Sequence, residues 1–114
     1  MDWYLIEILY PKSFKKFVDI MFPNIGVISK STLIHYDTKK LYSFFDYENI
    51  FLIVEMINKN QWTYTINIKG NCILSSNGCN GTTREDTENE GFQECFKILE
   101  KKINYKDNHV ENEL

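Results

Sequence analysis

The stretch from Ile50 to Leu74 places the tightest limit on what this chain can fold into. It opens with Ile50-Phe-Leu-Ile-Val-Glu-Met-Ile57, passes through Asn58-Lys-Asn60, and continues as Gln61-Trp-Thr-Tyr-Thr-Ile-Asn-Ile-Lys69. The second run alternates strictly. Trp62, Tyr64, Ile66 and Ile68 fall on one side, and Gln61, Thr63, Thr65, Asn67 and Lys69 on the other. Side chains of a strand alternate between faces, so this pattern predicts a strand with one face buried and one wet. The first run is apolar on both faces, the pattern of a strand nearer the centre of a sheet. The polar residues between them suit a hairpin. A turn at Gly70-Asn71 and the short run Cys72-Ile-Leu74 add a third strand to the expectation.

The segments on either side follow helical or extended grammar. Trp3 to Tyr10 is short and rich in β-formers, which predicts a strand ended by Pro11. Phe14, Phe17, Val18 and Met21 recur at helical spacing, with Ser13 as a candidate cap and Pro23-Asn24 as the stop. Thr32 to Tyr36 suits a short strand or an extended link. Asp37 or Thr38 can cap a second helix with Leu41, Phe44 and Phe45 on its apolar face, and Asn49 suits the left-handed position that ends it. Thr82 or Thr83, followed by Glu85 or Asp86, forms a capping box before the apolar stripe Phe92, Cys95, Phe96, Leu99 and Ile103. Gly91 inside that helix costs about 1 kcal/mol relative to Ala, which close approach of helix to sheet would explain. Residues 1–105 are expected as one domain and 106–114 as a polar, frayed tail. The predicted architecture is an α+β two-layer sandwich, mainly antiparallel, with helices on one face and the order β-α-(β)-α-β-β-β-α.

Charge and cysteine usage restrict function. The 114 residues carry a formal net charge of −3, and the lysines are scattered among acids. Nucleic-acid binding rests on phosphate contacts from a basic stripe, so it is disfavoured. There is no apolar run long enough to span a bilayer, and Met1-Asp-Trp-Tyr-Leu5 lacks the basic start and cleavage site of a secretory signal. Cys72, Cys79 and Cys95 are an odd number, expected as reduced thiols in a cytoplasmic setting. Cys95 sits on a helix face among Phe92, Phe96 and Leu99, where cysteine acts as a small hydrophobe.

Candidate chemistry is sparse. His35 is paired by sequence with no nucleophile. Asp46 and Glu48, at the end of the second helix, are acids that a metal or acid–base site could use. Glu55 stands in an otherwise apolar strand; if buried it must be paired or have a raised pKa, and if not, the strand exposes that face near its end. The acids from Glu85 to Glu90 suit a solvated helix start. No phosphate-binding glycine loop, dinucleotide fingerprint or zinc motif is present, and no cofactor is expected. The candidate binding residues are polar ones: Gln61, Thr63, Thr65 and Asn67 on the wet face of the alternating strand, and Asn77 and Asn80 in the turn-rich loop Ser75 to Gly81.

Lys40-Leu-Tyr-Ser-Phe-Phe-Asp-Tyr-Glu-Asn-Ile50 before a strand, and Thr83-Arg-Glu-Asp-Thr-Glu-Asn-Glu-Gly-Phe-Gln-Glu-Cys-Phe-Lys-Ile-Leu-Glu100 as a closing helix, together resemble small proteins encoded by phages and mobile elements of gut bacteria. The resemblance covers about half of the chain, implies a phage-related accessory role, and transfers no functional residues. The expected function is a non-catalytic cytoplasmic binding protein that contacts a protein partner or a second copy of itself, such as an inhibitor of a host defence system. The alternatives are an immunity protein that neutralises a toxin, and a small-ligand module or enzyme with a pocket near Glu55 and His35.

Overall fold

A computed structural model describes residues 1–23, 38–69, 71–75 and 83–113, with 71–75 and 108–113 described through their backbone alone. The elements are α1 (Trp3–Leu9), α2 (Pro11–Met21), α3 (Thr38–Tyr47), β1 (Ile50–Asn58), β2 (Gln61–Ile68), β3 (Asn71–Ser75) and α4 (Arg84–Glu113). The fold is mixed α+β, with a small antiparallel sheet and helices packed against it. Two compact units make it up: residues 1–36 with 96–114, and residues 37–95. α4 runs through both.

The first unit departs from expectation. Trp3 to Leu9 is a helix where β-formers predict a strand. The Asp2 carboxylate accepts from the Leu5 N–H at 3.1 Å and caps its start. Trp3 and Ile6, three residues apart, then share one buried face. Trp3 stacks on Phe17 at 5.7 Å and meets Phe96 edge-on at 6.1 Å. This aromatic packing outweighs the weak intrinsic preference of the segment. Tyr10 precedes a proline and is driven out of helical geometry; its φ and ψ are −132° and 61°. Pro11 therefore starts α2 at a position where its missing N–H costs nothing. Ser13 lies inside α2 and is fully buried, so it does not cap the helix as expected from sequence.

In the second unit α3 buries Leu41, Phe44 and Phe45 as the periodicity predicts. Asn49 takes φ 62° and ends it, and β1 starts at the next residue. The sheet order is β1-β2-β3. Among the described strands β2 is therefore central and β1 lies at an edge, the reverse of the expectation drawn from its two apolar faces. Lys59 and Asn60 close the hairpin, with Asn60 at φ 60°. The Thr83 hydroxyl accepts from the Asp86 N–H at 3.1 Å and caps α4, which continues to Glu113 through the segment read as a tail. The observed order is α-α-α-β-β-β-α among the described residues, in place of β-α-(β)-α-β-β-β-α. Thr32 to Tyr36 lies outside them.

Gly91 marks where α4 meets the sheet. A Cβ there would stand 2.6 Å from Leu52 Cδ1 and 3.1 Å from Cδ2. Gly91→Val is expected to destabilise the protein by roughly 1–3 kcal/mol through overpacking. In a Leu52→Ala background the same change should cost clearly less, as a denaturant-midpoint cycle would show. Equal costs in both backgrounds would mean that Leu52 is not the obstacle.

Candidate interaction surface

Residues paired across neighbouring strands lie on the same face, so the register sorts the sheet residue by residue. Ile50, Leu52, Val54 and Met56 pair with Ile68, Ile66, Tyr64 and Trp62. This face packs against α4 through Leu52 and Gly91, and it buries Ile50, Leu52, Tyr64 and Ile66. The opposite face carries Phe51, Ile53 and Glu55 of β1 against Asn67, Thr65 and Thr63 of β2. Four of the six proposed binding residues thus share one sheet face: Gln61 is exposed, and Thr63, Thr65 and Asn67 are half-buried. Asn77 and Asn80 lie outside the described residues.

Burial fades along the hairpin towards its turn. Ile50 and Leu52 are buried and Val54 is half-buried, while Ile53, Met56 and Ile57 are exposed. A register irregularity between Met56 and Asn58 leaves Ile57 outside the ladder. Apolar side chains are therefore exposed on both faces at the outer end of the hairpin: Ile53 beside Glu55 and Thr63, and Met56 on the opposite face beside Trp62. Ile53, Met56 and Ile57 are not legible as a surface in the sequence, because an apolar run on both faces is also how a central strand reads. The one local hint was Glu55, an acid that marks where the strand turns from core to solvent.

Glu55 is exposed near the strand end, so no buried acid stands there. His35 lies outside the described residues, as does the loop centred on Asn77–Asn80. Asp46 is exposed and Glu48 buried. Among the described residues, no three of His, Cys, Asp and Glu are grouped so as to hold a metal ion. Tyr64 is core, and Trp62 on the same face is half-buried. No helix among the described residues is long and apolar enough to cross a membrane. Cys95 is a fully buried free thiol; Cys72 is described through its backbone alone, and Cys79 lies outside the described residues.

Among the described residues, Cys95, Tyr42 and Tyr64 have displaced proton affinities. Burial pushes the Cys95 thiol up, helped by the Glu94 charge. Tyr42 donates to Glu88 Oε2 at 2.7 Å and packs edge-on against Phe92. Burial first, then the hydrogen bond and charge of Glu88, raise its phenol. Burial likewise raises Tyr64, with smaller effects from the charges of Glu94 and Glu90. In the unfolded chain such groups ionise near 9.0 for cysteine and 10.0 for tyrosine. A folded pKa above the unfolded one makes the unfolded state lose its proton first, so the stabilisation is complete below those values and lost as pH rises beyond them. Denaturant midpoints should therefore hold to about pH 9 and fall above it. Tyr42→Phe should flatten that fall, and an unchanged slope would show that Tyr42 does not contribute.

No family model, curated protein or solved structure matches this chain.

Proposed function

We propose that the chain is a non-catalytic binding protein that acts by protein–protein contact through the outer end of the β1–β2 hairpin. The observation that carries this reading is the exposure of Ile53, Met56 and Ile57 on an edge strand. An edge strand offers backbone groups for pairing. Apolar side chains beside it supply the anchors around which interfaces concentrate their energy. Exposed Glu85, Asp86 and Glu90 give the same unit an acidic side, which would steer a basic partner. The resemblance to phage and mobile-element proteins supports a cytoplasmic accessory role, such as inhibition of a host defence protein. Neutralisation of a toxin by an immunity protein uses the same surface physics.

Affinity capture from host lysate tests the proposal when wild type is compared with Met56→Glu and Ile57→Glu. One stoichiometric partner, released by salt and lost with both variants, is the expected result. A partner retained equally by the variants, or no partner at all, would overturn it.

A further inference from the structure

We draw no further inference here: the strongest candidate, the exposed apolar face that Tyr4, Leu5, Ile8 and Leu9 form on α1, carries none because nothing in the structure shows what covers it.

Discussion

Phe17→Ala is expected to cost about 3–5 kcal/mol of stability. Phe17 is fully buried, stacks on Trp3 at 5.7 Å, and meets Phe22 and Phe96 edge-on, each at 5.9 Å. Truncation removes a ring with aromatic neighbours on three sides and leaves a cavity that three rigid rings cannot collapse to fill. The loss is a large share of the whole stability of a small domain, about 5–15 kcal/mol. Chemical denaturation followed by tryptophan fluorescence and by circular dichroism would measure it. Phe17→Leu should recover much of the loss by filling part of the volume. A cost below about 1 kcal/mol for the Ala variant, the level of a surface change, would contradict the packing described for this unit.

Glu100→Ala is the second large effect, expected at about 3 kcal/mol. The opening turn of α2 has no side-chain cap at Tyr10. Its Pro11 has no N–H to satisfy, and the Phe14 N–H reaches the Tyr10 carbonyl at 2.9 Å. The two donors between them are met by one carboxylate from α4: the Lys12 N–H donates to Glu100 Oε1 at 3.2 Å, and the Ser13 N–H to Oε2 at 2.7 Å. The Ser13 hydroxyl has one proton and two acceptors in reach, Oε2 at 2.8 Å and the Phe96 carbonyl at 3.1 Å. Lys12 Nζ reaches Asn104 Oδ1 and Asp107 Oδ2 at the rim. A carboxylate at a helix start also meets the positive end of the helix dipole. Alanine leaves buried donors without an acceptor, the expensive half of any hydrogen-bond deletion. Glu100→Gln keeps one acceptor oxygen and should cost about half as much. Lys12→Ala, at an exposed ion pair, should cost less than about 1 kcal/mol. Equal losses for all three variants would contradict this account of the cap.

How far the sequence could be read depends on how local each determinant is. Leu41, Phe44 and Phe45, the Asn49 stop, the alternation of β2, the Thr83 cap and the Gly91 contact are encoded within a few residues of where they act, and each was legible. Trp3 to Leu9 misled because its composition favours a strand, while its fate is decided by Phe14, Phe17 and Phe96, distant or indirect in sequence. The Asp2 cap was the local hint of a helix. Glu100 lies 87 residues from Ser13, and nothing local marks a helical glutamate as the cap of another helix. On the interaction surface, the shared face of Gln61, Thr63, Thr65 and Asn67 follows from period 2. The exposure of Ile53, Met56 and Ile57 depends on where the helices stop covering the hairpin, which no periodicity records.

The most direct test of the central claim is amide hydrogen exchange on the chain with and without its captured partner. The amides of Ile53 to Asn58 lie on the strand at the edge of the sheet among the described residues, where a partner strand can pair. On binding, these amides, with those of Gln61 to Thr63, should gain the largest protection. Protection confined to α2 or the far half of α4, with the hairpin unchanged, would contradict it.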